Sequence, residues 1–180
     1  MHRRQIHVAL YPVPLYTIYD YKEKAGHKNE EGECGRFLQR SVTLTGFSEA
    51  ELQATGLLHV YFDELGLVLG HAIRQKYLNR NLASDALLRD KVWGPLTRNL
   101  IRMWYVGQWK KLPDGWGQKS FDKDNFFSDE ELSAFDEFTR NVDRFISPKA
   151  YTEGLAWKAA CVNPMGAKEP GFASWTEKPK

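Results

Sequence analysis

His59 and Asp63 lie one helical turn apart, a spacing at which two side chains share a face and can bind one metal ion. No third ligand stands at a matching spacing, and His71 could join only if the chain folds back. A partly exposed histidine beside a helix acid accounts for the same pair. Asp122-Lys123-Asp124-Asn125 matches the start of a calcium loop, but it lacks the turn glycine and the bidentate glutamate that complete one. Glu49, Glu51, Asp63 and Glu64 are carboxylates that capping and solvation explain. The chain has no G-x-G-x-x-G, no Walker loop, no G-x-S-x-G and no H-E-x-x-H. Cys34 and Cys161 form no C-x-x-C pair and no disulfide framework. An independent, metal-assisted enzyme built on His59 and Asp63 therefore stands as an alternative to a non-catalytic role.

The aromatic residues are more distinctive. Six tryptophans and a 13% aromatic share are high for a chain of 180 residues. Trp104-Tyr105-Val106-Gly107-Gln108-Trp109 places three large rings and a glycine within two helical turns. Gly107 would admit a second backbone. A second group comprises Tyr151, Glu153, Leu155 and Trp157, followed by a Pro/Gly-rich stretch with Pro170 and Trp175. Large rings are favoured at interface centres, so both groups are candidate partner contacts. The competing reading is that the rings of the first group fill one core. A third reading uses the rings as stacking platforms for a single-stranded nucleic acid, with Arg98, Arg102, Lys110 and Lys111 nearby.

These residues need elements to hold them, and the pattern predicts helices. Ser48 with Glu51 is a capping box opening a helix from Phe47 to Leu65, and Leu67 to Tyr77 reads as a second, short one. After a turn over Asn79 to Ser84, the stripe Leu88, Val92, Leu96, Leu100 and Met103 or Trp104 marks the longest helical region. Gly94-Pro95 divides it, with Pro95 in the first turn of the second part. Trp116 to Phe127 reads as a loop. Ser128 with Glu131 is a second capping box, opening a helix through Leu132, Phe135 and Phe138. A short helix follows over Lys149 to Ala160. Strand-like alternation is confined to Ser41–Leu44. The expectation is a mostly α protein, a small irregular helical bundle with an extended Pro/Gly-rich C-terminal tail. Residues 1–36 are expected to be a flexible or extended N-terminal segment, 37–162 the helical domain, and 163–180 a tail lying on the domain or on a partner.

Composition sets the outer bounds. Hydrophobic residues at 42% and charged residues at 27% exclude a wholly disordered chain. A net charge of +2 argues against a protein built mainly to grip phosphate backbones. No apolar run approaches the roughly 18 residues of a membrane span. Arg3-Arg4 invites comparison with a twin-arginine export signal, but Gln5, His7, Pro12 and Pro14 interrupt the apolar stretch that follows.

The motifs in register suggest a family. They are Phe37-Leu-Gln-Arg-Ser-Val-Thr-Leu-Thr-Gly46-Phe, Leu52-Gln-Ala-Thr-Gly56, Trp104-Tyr-x-Gly107-x-Trp109, Tyr151-x-Glu-Gly-Leu-x-Trp157 and Gly166-Ala-Lys-x-Pro-Gly171 with Trp175-x-x-Lys-Pro. On these the chain resembles the small subunit of the bacterial membrane-associated, FAD-dependent sugar and alcohol dehydrogenases, of the sorbitol and fructose dehydrogenase type. The resemblance implies a chain without catalytic residues, cofactor or metal of its own. FAD would sit in a large subunit of the glucose-methanol-choline (GMC) oxidoreductase type, which this chain would bind, stabilise and help to export. A cytochrome c subunit would carry the electrons to the membrane, and the complex would be periplasmic, reaching the inner membrane through its partners. The absence of a convincing signal leaves a cytoplasmic location open. The family's cysteine before the final tryptophan has no counterpart between Ala167 and Ser174.

Overall fold

Apolar side chains recurring at helical steps, with little alternation to feed a sheet, give a mostly helical protein. The computed structural model describes residues 27–164. In chain order they form α1 (His27–Thr45), α2 (Glu49–Ala54), α3 (Leu58–Asn79), α4 (Ser84–Arg89), α5 (Trp93–Val106), β1 (Gln108–Trp109), α6 (Asp129–Leu132), β2 (Arg144–Phe145), α7 (Pro148–Thr152) and α8 (Leu155–Ala159). The two strands pair antiparallel, Gln108 opposite Phe145 and Trp109 opposite Arg144. Tail residues 165–180, with Pro170 and Trp175, lie outside the described residues, as does the Arg3-Arg4 segment.

The helical domain begins earlier than Phe37. α1 starts at His27, so part of the segment expected to be flexible is helix. Its first turns lack an apolar stripe and are held by charge instead. The Glu33 carboxylate is fully buried and accepts from Arg74 Nη2 at 3.2 Å and Gln75 Nε2 at 3.2 Å, with His71 Nε2 at 3.1 Å. The Ser41–Leu44 alternation is helical too. Ser41 donates back to the Phe37 carbonyl and Thr45 to that of Ser41, both at 2.8 Å, which satisfies these buried hydroxyls within their own helix.

The helix expected from Phe47 to Leu65 is broken. Ser48 and Glu51 cap α2 as expected, but Gly56 at φ +65 turns the chain before α3 begins. α3 then runs through Gly66 and is kinked at Gly70 (φ 75, ψ 162). A Cβ there would stand 2.5 Å from Ala134 Cβ. The break expected at Gly94-Pro95 falls earlier: α4 ends at Arg89 and α5 begins at Trp93, with Pro95 in its first turn, because the Asp90 carboxylate accepts from the Val92 and Trp93 amides at 2.8 Å each and closes that helix start.

The core packs α1, α3 and α5 together through Phe37, Tyr61, Leu65, Leu69, Leu96, Leu100, Met103 and Trp104. The irregular Trp116–Phe127 stretch joins it. Trp116 is buried with its Nε1 on the Val92 carbonyl at 2.7 Å, and Phe127 meets the edge of Trp93 at 5.2 Å. The Ser128–Glu131 box is present, but α6 stops at Leu132 instead of continuing through Phe138. The chain turns so that Ala134 fits against Gly70 and the Asp136 amide reaches the Val68 carbonyl at 2.9 Å. Phe138 is left 86% exposed. The helix expected over Lys149 to Ala160 is two short ones, parted at Gly154, where a Cβ would lie 2.7 Å from the Tyr105 carbonyl oxygen.

Two glycine replacements should separate conformational need from helix propensity. Gly70→Ala forces a side chain into a backbone region that is essentially glycine's, at a cost of about 1–3 kcal/mol before the Ala134 contact is counted. Gly35→Ala, inside α1 with open space around its Cβ, should stabilise by about 0.5–1 kcal/mol. Urea denaturation midpoints of the two variants should move in opposite directions.

Candidate partner interface

The two aromatic groups are one structure. α5 ends at Gly107, whose φ of +67 puts it in the left-handed conformation of a helix C-terminus. A Cβ at Gly107 would stand 2.5 Å from the Ala150 backbone, so α7 rests directly on this glycine. The backbone that Gly107 admits belongs to the same chain. The Gly107 carbonyl accepts from the Ile146 amide at 2.9 Å, continuing the β1–β2 pairing.

Within this junction the large rings divide. Trp104 and Trp109 are buried to within 1% and cannot touch a partner. The sequence-based assignment of both indoles to partner contact is corrected: α1 covers the first and the segment around Asn141 covers the second. Trp104 Nε1 donates to Ser41 Oγ at 2.9 Å, with Tyr61 edge-on at 4.9 Å and Phe37 stacked at 6.3 Å. Trp109 Nε1 donates to Asn141 Oδ1 at 3.2 Å, and the same oxygen takes the Leu112 amide at 2.8 Å. Leu155 is buried at 2% exposure, and Gly107 is buried too.

The remaining members face outward. Tyr105, Tyr151 and Trp157 are half-buried, and Glu153 is exposed. Tyr105 donates its hydroxyl to the Thr45 carbonyl at 2.9 Å and meets the Phe47 ring at 6.1 Å. Trp157 donates Nε1 to the Tyr151 carbonyl at 2.7 Å and crosses the Tyr151 ring edge-on at 5.3 Å. Phe145, 46% exposed, also meets Tyr151 edge-on at 6.0 Å. Lys158 lies over the Phe47 ring at 5.6 Å and bonds Glu51 at 2.7 Å. The result is an aromatic surface, Phe47, Tyr105, Tyr151, Trp157 and Phe145, whose members are oriented by hydrogen bonds and by one another. Phe145 carries no signal in the sequence, and Phe47 enters it only as a helix start and the end of a motif, because non-local contacts alone bring these two rings to the surface.

The other candidate groups do not converge. His59 is exposed and has the Cys34 Sγ 3.8 Å from its Nδ1. Burial, and then the nearby Asp63 charge, push the Cys34 thiol up, which disfavours a reactive thiolate. Among the described residues no group of three or more His, Cys, Asp or Glu side chains is placed to hold a metal ion. Asp122 Oδ1 accepts from the Asp124 and Asn125 amides at 3.0 and 3.2 Å, an Asx turn. Lys110 pairs with Asp143, Lys111 pairs with Asp114 at 2.6 Å, and Arg98 bonds the Leu88 carbonyl at 3.0 Å. No described helix is long and apolar enough to cross a membrane.

No family model matches the chain, and no curated protein or solved structure matches it either.

The burial of Trp109 predicts that Trp109→Ala destabilises the isolated protein by about 3–5 kcal/mol, read as a fall in denaturation midpoint. Glu51 predicts a pH effect. The hydrogen bond from Lys158, with those of the α2 cap, holds its carboxyl down to about 2 from the ordinary 4.5. A depressed folded-state value stabilises above the unfolded one, so the tie between α2 and α8 should hold above about pH 4.5 and fade as pH falls toward 2. The Glu51 carboxyl chemical shift, followed by NMR titration, should place its midpoint well below those of exposed glutamates. A midpoint among theirs would remove the tie.

Proposed function

We propose that this protein is a non-catalytic small subunit that binds and stabilises a large FAD-dependent dehydrogenase subunit of the GMC oxidoreductase type, acting on a sugar or alcohol. The observation that carries the reading is the aromatic surface formed by α7, α8 and Phe47 on the packed Gly107–Ala150 junction. Half-exposed rings already ordered in the free protein lose little rotamer freedom on binding, which is what an interface anchor needs. The resemblance of the five sequence motifs supplies the identity of the partner. Two of those motifs are the ones that build this junction.

In this reading the flavin and the substrate pocket belong to the large subunit, and this chain contributes surface only. Trp157, Tyr151 and Tyr105 are the contact rings, with exposed Glu153 in the same segment; Pro170 and Trp175 are added as partner contacts on the resemblance alone. Trp104, Trp109, Gly107 and Leu155 act indirectly, by holding that surface in place. A cytochrome c subunit accepts the electrons, and the complex works on the periplasmic face of the inner membrane, attached through its partners.

Co-expression with candidate large subunits followed by affinity capture tests the proposal. The intact chain should co-purify with a yellow, flavin-bearing protein and should itself be colourless when purified alone. Trp157→Ala should weaken the complex by about thirtyfold, the equivalent of about 2 kcal/mol at an interface centre, with little change in the melting temperature of the free subunit. Capture unaffected by Trp157→Ala and by Tyr151→Ala would contradict the assignment of this surface.

A further inference from the structure

The outer rings of the aromatic surface are already in use within the chain. Trp157, Tyr151 and Phe145 follow one another at ring separations of 5.3 and 6.0 Å. Phe145 and Tyr151 each take part in a further interaction, with a group other than those named so far.

The chain leaves α8 at this same face. The Val162 amide donates to the Trp157 carbonyl at 2.9 Å and the Cys161 amide to that of Lys158 at 3.1 Å, the paired bonds that close a helix on a left-handed residue. Cys161 supplies that residue at φ 56, a conformation that favours glycine, and it is the one non-glycine with positive φ among the described residues. The turn stops α8 and reverses the chain beside Trp157. Phe172 and Trp175 follow about a dozen residues on, and an extended chain of that length reaches up to roughly 40 Å, far more than the separation of the three rings. Residues 1–26 join instead at His27, the far end of α1. That end lies roughly 27 Å along the helix from Thr45, whose carbonyl takes the Tyr105 hydroxyl at this face.

The composition of the C-terminal segment suits the surface. Pro170 lacks an amide donor and Gly171 lacks a side chain, so the segment has little to build a helix or a sheet from. Its two rings leave water only by packing on something else, and ring against ring is a favoured arrangement. A tethered segment meets its own surface at an effective concentration on the order of millimolar, so even weak docking fills it. We propose that the segment Pro170–Trp175 folds back on this face of its own chain and seats the Phe172 and Trp175 rings against Tyr151 and Phe145. The contact belongs to the protein alone and does not rest on the identity of the large subunit; a partner that uses this face has to share it with the tail or lift the tail away.

Nuclear Overhauser contacts in the full chain test this. Cross-peaks are expected from the Phe172 and Trp175 rings to the rings of Tyr151 and Phe145, and they should persist on dilution. Trp175→Ala and Phe172→Ala should each shift the Tyr151 and Phe145 ring resonances, while the Trp104 and Trp109 indole resonances stay in place and report an intact core. Failure to capture a large subunit would leave these contacts unchanged, so the two proposals fail separately. Absence of any cross-peak from either tail ring, cross-peaks that vanish on dilution and so come from a second copy, cross-peaks to the tyrosines of residues 1–26 in their place, or unshifted Tyr151 and Phe145 resonances in both variants would each overturn the proposal.

Discussion

The Trp104 indole is the contact on which the rest of the domain depends. It lies at the meeting of α1, α3 and α5, with Phe37 stacked on it, Tyr61 edge-on to it and Ser41 accepting its N–H. A buried indole without that acceptor would lose about 1–3 kcal/mol of hydrogen-bond satisfaction. Ser41 can serve because its own hydroxyl proton goes to the Phe37 carbonyl, leaving the oxygen's lone pairs for Trp104. One serine thereby fixes the rotation of α1 against α5. With that angle set, Thr45 comes to the Tyr105 hydroxyl and Phe47 to its ring, which is how the end of α1 reaches the candidate surface.

Beyond this hub, single polar side chains do the work that sheets or long helices do elsewhere. Asn99 donates to the Lys110 carbonyl at 2.7 Å and accepts the Lys110 amide at 2.8 Å, acting as a one-residue strand partner for the chain leaving β1. Asn141 joins Trp109 to Leu112. Glu33 anchors the start of α1 on α3 through Arg74, which also lies over the Phe62 ring at 4.0 Å. Such groups are costly when unpaired, so each specifies a geometry more sharply than apolar packing alone. Short elements like α7 and α8 are stable in this setting because they rest on glycine contacts at Gly107 and Gly154 rather than on their own helix propensity.

Local signals in the sequence are legible where the cause is local. Both serine–glutamate boxes cap helices, and Pro95 falls in the first turn of α5, because capping and proline geometry are decided within four residues. Extents were not legible. α6 ends after one turn because Gly70 and Val68, far away in sequence, capture Ala134 and Asp136. The early start of α1 was hidden for a similar reason, since its partner is an ion pair between Glu33 and Arg74 and not an apolar period. The aromatic groups are conspicuous in the sequence, but spacing alone does not say which face α7 covers. Once it does, Trp104 and Trp109 belong to the core and Trp157 and Tyr151 to the surface.

That division of rings is the central claim, and hydrogen exchange at the indole N–H groups measures it in one experiment. Trp104, Trp109 and Trp116 each donate within the core, to Ser41, Asn141 and Val92. Their indole protons should exchange only through global unfolding, with protection matching the stability from denaturation, whereas half-buried Trp157 should exchange through local opening and much faster. Exchange of Trp104 and Trp109 as fast as that of Trp157 would show that these rings are not core, and the division would fail.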